Sequence, residues 1–366
     1  GIAAIAGPTL GGLIVTGLSW HWIFFVNLPV GIVALVATFL IIPDLRPGRR
    51  HRLDLAGVAL VSVGLFSVVF GLIEGERFNW GVVWGWLTIT QVMAFGVVVL
   101  VAFLLWERRQ SEPLVPFSIF QDRNYSLMNW MGAAVAFGMT GMFLPMTIYL
   151  QSGLGMTALQ AGLALAPAPL ISMVVAPMSG RLADQIGGKY ILMAGLVMFA
   201  IGAGAVAWVA TPKSTWLDFL FPLVVAGFGQ GCVFAPMATI ALRNVSPRMA
   251  GSASGVLNTT RQVGAAMGGA VIGAVLQNQL AMNLHSQALA RAAQLPAQMQ
   301  QRFIESFSSV GSSGLFVGPS HAGTSQLPAN VPPAVAEQIR QLAQQVFVNG
   351  FIASMRPTAA VGVAVL

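Results

Sequence analysis

The sequence predicts an all-α membrane protein whose helices cross the bilayer many times. Hydrophobic residues make up 56% of its 366 residues, charged residues only 8%, and the mean hydropathy is +0.77. A soluble domain carries roughly 25% charged residues. Apolar stretches of the ~20 residues that cross a bilayer core of about 30 Å recur along the chain. A water-soluble fold is excluded because it could not bury this much apolar surface.

Hydropathy predicts about ten membrane spans. They are residues 1–18, 22–42, 55–73, 84–106, 124–150, 158–178, 191–210, 217–242 and 250–276, with a last span that starts near residue 357. The chain begins inside an apolar helix without a charged leading segment, which is not the pattern of a signal peptide. Ten residues from Pro357 cannot cross a bilayer, so we expect truncated helices at both ends. If Arg356 instead lies within the helix, the last span would begin near residue 345.

The basic residues predict the orientation. Twelve Lys and Arg residues, Arg261 among them, fall in one alternate set of loops, and five fall in the other. Because positive charge is retained in the cytoplasm, both ends of the chain are expected there. The net charge of +7 arises from short loops between apolar spans, which argues against a nucleic-acid partner. A single cysteine, Cys232, excludes a disulfide framework within the chain.

Residues 277–356 differ from the rest of the chain because they are rich in Gln, Ala and Ser. We expect a long extracytoplasmic loop with short surface helices there. The segment offers too few core positions for a soluble catalytic domain.

Small residues in the first span predict a close helix contact. Gly7 and Gly11 are four residues apart, and Gly12 lies on the neighbouring stripe with Pro8. Small side chains at this spacing let a second helix backbone approach. Pro8 removes one helical hydrogen bond and permits a bend. The pattern fits a moving interface or ordinary helix packing.

Two motifs carry a family resemblance: Gly7 to Gly12, GPTLGG, and Trp20 to Gly31, WHWIFFVNLPVG. They resemble the antiporter motif and the following helix of the major facilitator superfamily, more narrowly the fourteen-helix drug:proton antiporters of the EmrB/QacA type. The resemblance implies a major facilitator fold in which the predicted spans are helices five to fourteen. Residues 1–42 would end the N-terminal bundle, 43–123 would form a two-helix insert, and 124–366 would form the C-terminal six-helix bundle.

A second motif lies between two spans on the basic side and resembles the cytoplasmic gate of the same superfamily. Its residues are Gly180, Arg181, Asp184, Gly187 and Lys189. The glycines permit a tight turn between helices, and the carboxylate can accept from an arginine or from helix N-terminal amides. The family usually has a basic residue where Gln185 stands. An ordinary charged turn is the alternative interpretation.

Polar residues inside the spans are the candidates for a substrate cavity. They are Gln230, Asn258, Arg261, Asn129 and Tyr149, with Gln151 as a weaker candidate. A buried glutamine either binds a neighbouring helix or faces a wet cavity, and both remain open for Gln230. Arg261 and Asn258 either line the inner end of a path or extend to the lipid headgroups.

The resemblance implies efflux of amphipathic small molecules or drugs by proton antiport, with alternating access and the proton-motive force as energy source. Export of one metabolite, antibiotic or lipid is the alternative, and a non-transporting membrane sensor is a remote one. No enzyme activity, metal or cofactor is expected, since no His-Glu-x-x-His or paired-aspartate motif occurs. The expected partners are the substrate, protons and the lipid bilayer of a bacterial-type inner membrane. The sequence does not say whether accessory envelope proteins join it.

Overall fold

The computed structural model describes residues 11–14, 17, 19, 21–41, 54–75, 77–78, 80–110, 113–310 and 333–366. Within these ranges nine helical segments are long and apolar enough to cross a membrane. This confirms the predicted all-α polytopic fold. Most of the predicted span 1–18 lies outside the described residues.

The helices are α1 Trp22–Phe25, α2 Asn27–Ile41, α3 Leu55–Glu74, α4 Ile89–Glu107, α5 Arg123–Ile148, α6 Ala158–Leu165, α7 Pro167–Ile186, α8 Gly188–Val209, α9 Leu220–Leu242, α10 Ala250–Ala292, α11 Ala297–Val310 and α12 Pro333–Val365. A π-helical turn, Tyr149–Gly153, extends α5, and 3₁₀ turns cover Phe117–Gln121 and Trp216–Phe219. Strands β1 Val82–Trp84 and β2 Leu87–Thr88 form an antiparallel hairpin.

Helices α3 and α4 pack as a pair through small residues. A Cβ at Gly96 would lie 2.9 Å from the carbonyl oxygen of Gly64, so the two backbones nearly touch. The Asp54 side chain accepts from the Gly57 amide at 2.9 Å and caps the start of α3. Most apolar side chains of the pair face outward, as expected for helices in lipid.

The predicted span 84–106 starts too early. Residues Val82–Thr88 form the hairpin, and α4 begins at Ile89, where Thr88 and Gln91 make a reciprocal capping box. Hydropathy missed the boundary because valines and tryptophans are as apolar in a strand as in a helix. Trp84 and Trp86 are 86% and 81% exposed, which is typical of aromatic residues at a membrane surface.

Helices α5 to α12 share one core. Helix α9 lies between α7 and α8, and a face of small residues on α9 contacts α7. A Cβ at Gly231 would lie 2.7 Å from the Val175 Cβ, and Gly227 abuts the backbone of Ala168. The methyl group of Ala235 on the same face approaches Gly180. The division of the chain into 1–42, 43–123 and 124–366 stays a prediction.

The predicted boundaries near the C-terminus are wrong. Helix α10 runs 43 residues, and α12 runs from Pro333 to Val365 instead of starting near 357. Arg356 lies inside α12, exposed, with its guanidinium 5.2 Å from the Trp208 ring centroid. Since helices have a rise of about 1.5 Å per residue, α10 is about 64 Å long, twice the bilayer core.

Much of the predicted loop 277–356 is therefore helical. We call residues 277–310 and 333–356 the distal helical segment. Its core is formed by side chains that recur about every four residues along α10, together with aromatic residues of α11 and α12. Leu280, Leu284, Ala288, Phe303, Phe307, Phe347 and Phe351 belong to it. The predicted surface helices are present but are longer than expected and pack into a core. Hydropathy underestimated them because glutamines on their outer faces lower the average.

Candidate functional site

Two neighbouring cavities open along helix α5. The first has a volume of about 530 Å³ and lies between Gly11, Gly12 and Ile23 on one side and α5, α6 and α7 on the other. Its walls are mainly apolar, with Gln230 and Gln151 among the polar groups. Such a composition suits an amphipathic small molecule.

The second cavity, of about 550 Å³, lies between α5 and α10. It shares Met139, Phe143 and Thr147 with the first cavity, so one face of α5 borders both. On the α10 side it is lined by Asn258, Arg261, Gln262 and Ala265. This wall brings a cation and two amides to an otherwise apolar space.

Gln230 is the most deeply buried polar group on the wall of the first cavity. The residue is 4% exposed, and its side-chain Nε2 has no hydrogen-bond partner among protein atoms. An unpaired buried amide costs free energy. A ligand or a water molecule in the cavity would supply the missing acceptor.

Arg261 lies in α10, inside the predicted span 250–276, which corrects only its grouping with the cytoplasmic loops in the count of basic residues. Its guanidinium carbon is 4.7 Å from the ring centroid of Phe234 on α9, and its Nε is buried without a hydrogen-bond partner. The side-chain stem passes Gly132 on α5, where an added Cβ would lie 3.2 Å from Cγ of Arg261. The three helices therefore hold the cation at the cavity wall.

Asn129 and Tyr149 do not line either of these cavities. The Asn129 Nδ2 donates to the Tyr125 carbonyl at 3.0 Å, while its Oδ1 is buried without a partner. The Tyr149 hydroxyl donates to the Thr211 carbonyl at 2.6 Å, and its ring packs between Phe219 and Phe351. Tyr149 therefore joins the end of α5 to the segment after α8, whereas the Asn129 bond stays within α5.

The two glycines of the antiporter motif that fall within the described residues have different surroundings. A Cβ at Gly12 would lie 2.7 Å from Cα of Leu159, so the chain touches α6 there. Gly11 has open space where its Cβ would be, and it lines the first cavity. Gly7 and Pro8 lie outside the described residues.

The gate-like motif is more helical than the sequence suggested. Helix α7 continues through Gly180 and Asp184 to Ile186, and the reversal into α8 takes place at Gly187, whose φ is +91°. That backbone conformation favours glycine. The exposed side chains of Arg181, Asp184 and Lys189 form no ion pair with one another in the described structure.

Sequence reasoning missed the cavity face of α5. Met139, Phe143 and Thr147 recur every four residues, and Gln151 continues the series on the π-turn. The spacing marks one helix face, but an apolar face in a membrane protein contacts lipid, protein or ligand equally well. Only the packing of the helices distinguishes these cases.

Sequence similarity to known proteins identifies the family. A profile of the Major Facilitator Superfamily matches residues 1–269. The chain belongs to the major facilitator superfamily. It is a polytopic membrane protein of a family of transporters, and the predicted resemblance to drug-efflux members is confirmed.

Three relatives illustrate the similarity. An uncharacterized MFS-type transporter of Mycobacterium tuberculosis is 35% identical over 77% of the chain and 48% of its own length. The multidrug resistance protein Stp of the same organism is 34% identical over 81% of the chain and 54% of its length. The tetracenomycin C resistance and export protein of Streptomyces glaucescens is 31% identical over 76% and 51%. The chain spans about half the length of these relatives.

Proposed function

We propose that the protein containing this chain exports amphipathic small molecules by proton antiport with alternating access. The observation that carries the proposal is the first cavity, a mainly apolar space bordered by the Gly11–Gly12 motif and by Gln230. Apolar walls with a few polar groups bind molecules that combine both characters. The names of drug-resistance relatives support the same function.

Alternating access requires two groups of helices that rock around a central site. The contact between Gly12 and the backbone of Leu159 at the start of α6 is suited to this motion. A side chain there would obstruct close approach, whereas a glycine leaves two smooth surfaces. The side of the cavity formed by Gly11, Gly12 and Ile23 would then separate from helices α5 to α7 and close again around the bound molecule.

Coupling to protons is part of the proposal. No Asp or Glu that the structure describes lines either cavity. A proton-coupled carrier needs a titratable group at depth. The resemblance implies that such groups belong mainly to the first helices of the family, which precede the antiporter motif, and the proton-motive force would serve as energy source without a cofactor.

Dye accumulation in cells that express the full-length protein tests the proposal. We expect lower accumulation of an amphipathic fluorescent dye than in empty cells, and a protonophore should abolish the difference. Gly12→Ala should impair export by about tenfold, since roughly 1.4 kcal/mol of strain at the contact corresponds to that factor. Gly255→Ala is the matched control, because its Cβ would enter open space and the residue lines neither cavity. Export that persists with the protonophore would refute proton coupling.

Export of a single metabolite is the second candidate function. It is favoured by the similarity to a relative named for resistance to and export of tetracenomycin C. The range of exported compounds would distinguish the two candidate functions. A multidrug exporter should export several unrelated dyes and drugs. A dedicated exporter should ignore them and release one compound from the producing host.

A further inference from the structure

Arg261 is the charged side chain on the walls of the two cavities, as far as the described residues go. It faces the second cavity from α10, with Asn258 one turn before it and Gln262 beside it. All three side chains carry N–H donors, and Arg261 alone has five in a planar fork. None of the described acidic residues lines the second cavity, so Arg261 is the source of formal charge on its wall.

The guanidinium is not neutralised by the described protein. No hydrogen bond or ion pair joins it to a described residue, and Nε is fully covered. The Phe234 ring, 4.7 Å from the guanidinium carbon, stabilises the cation partly through its π-electrons. A membrane-embedded arginine without a counter-charge is unfavourable, so the arrangement would gain stability from an added anion.

The apolar part of a ligand has a place next to this cation. Met139 and Phe143 belong to the walls of both cavities, and an aromatic body resting on them would extend from one cavity into the other. Its acidic group would then lie against the Arg261 fork. A planar two-oxygen anion matches that fork with two parallel hydrogen bonds.

We infer that the cavities select amphiphiles that carry an acidic group, such as a carboxylate, sulfonate or ionised phenol, over cationic amphiphiles of the same size. The inference rests on the proposed export function and specifies its substrate class. It assigns Arg261 as the residue that binds the acidic group.

Fluorescein and rhodamine 123 are suitable probes because they share a xanthene body and differ in charge. Fluorescence anisotropy is measured with the purified full-length protein in a neutral detergent, with protein-free micelles as blank. Wild-type protein should bind fluorescein at least about tenfold more tightly than rhodamine 123, the factor expected from one charge-assisted contact. Arg261→Gln should remove this preference, and Arg261→Lys should keep part of it.

Arg356→Gln is the matched control. Arg356 also stacks on an aromatic ring, that of Trp208, but it belongs to neither cavity wall. It should leave both affinities within about twofold. A preference for rhodamine 123, no binding of either dye, or an equal loss of both dyes in Arg261→Gln would overturn the inference. The last result would mean that Arg261 only packs or pairs with a part of the protein beyond this chain.

Failure of the export proposal would give a different result. If energised cells show no protonophore-sensitive export while the purified protein still prefers fluorescein through Arg261, export fails and the anion site stands. If export is present without charge selection, the anion site fails and export stands.

Discussion

Gln230 places one unsatisfied amide in the wall of the first cavity. Replacing it with leucine should raise the thermal unfolding temperature in detergent, because a buried unpaired polar group costs about 1–3 kcal/mol. Binding of a polar amphiphile should weaken in the same variant. The Gln230 side chain would thus lower the stability of the protein and raise its affinity for the ligand.

Ser179→Ala provides the contrast at a nearby buried position. The Ser179 hydroxyl donates to the Gly231 carbonyl at 2.7 Å and joins α7 to α9. Its removal should lower the unfolding temperature and leave ligand affinity unchanged. If Gln230→Leu destabilises the protein as Ser179→Ala does, Gln230 has a structural partner and not a role in the cavity.

Asp122 connects the start of α5 to the end of α9 and predicts a pH effect. The Asn244 amide donates to the carboxylate at 2.6 Å and the Tyr125 backbone N–H donates at 2.9 Å, and these bonds lower the pKa of Asp122 below its ordinary value of 3.8. A lowered folded-state pKa means that the stabilisation is present above that ordinary value and lost as pH falls through the folded pKa.

Acid titration of the unfolding temperature below about pH 4 checks this effect. Asn244→Ala removes the largest cause of the shift, so its stability should fall less steeply with acid than that of the wild type. Identical acid profiles for the two proteins would contradict the assigned contact.

Glycine positions along α10 decide how closely it approaches α5. A Cβ at Gly264 would lie 2.6 Å from Cα of Ala133, a backbone atom that cannot give way easily, while Gly255 has open space. Gly264→Ala should therefore lower stability by about 1–3 kcal/mol through overpacking. Gly255→Ala, the same change in the same helix, should be neutral or favourable by up to about 1 kcal/mol because alanine has the higher helix propensity.

Thermal unfolding of the two variants in one detergent provides the measurement. An unchanged unfolding temperature in Gly264→Ala would show that α10 and α5 are farther apart than the structure has them. A loss confined to Gly264→Ala would establish that this helix pair is held by backbone contact.

The sequence could predict most membrane-spanning elements but not their ends. Runs of about 20 apolar residues identify helices such as α3 and α8, since a bilayer imposes both length and polarity. The β1–β2 hairpin escaped prediction because no lipid constrains its composition. For the same reason the distal helical segment was predicted only as a loop with short surface helices. The continuation of α10 shows only in Leu280, Leu284 and Ala288, whose spacing is obscured by intervening polar residues.

The cavities were predictable in part. Gly11, Gly12, Gln230, Asn258 and Arg261 were candidates from the sequence, and the structure places each on a cavity wall. The α5 face was not predictable because its apolar residues have no distinguishing chemistry. Separating cavity polar groups from structural ones, such as Tyr149, requires knowledge of which helix lies opposite.

At the scale of the whole molecule, the orientation predicted from basic residues assigns opposite sides of the membrane to two exposed regions. The α7–α8 turn with Lys189 should face the cytoplasm, and the distal helical segment should project outward. In a cysteine-free background, with Cys232 replaced by alanine, single cysteines at positions 189 and 289 would show on which side of the membrane each region lies. Leu289 is 51% exposed, and the helix that carries it is about 64 Å long, so this site lies well beyond a core of about 30 Å.

Intact cells treated with a membrane-impermeant maleimide should label the Leu289→Cys protein and leave the Lys189→Cys protein unlabelled until the membrane is opened. Labelling in the reverse pattern would invert the topology and would place the second cavity's Arg261 nearer the opposite face. Protection of both sites would show that another part of the protein covers the distal helical segment. Because α10 links this segment directly to the Arg261 wall, the labelling pattern also establishes which membrane face lies nearer to Arg261.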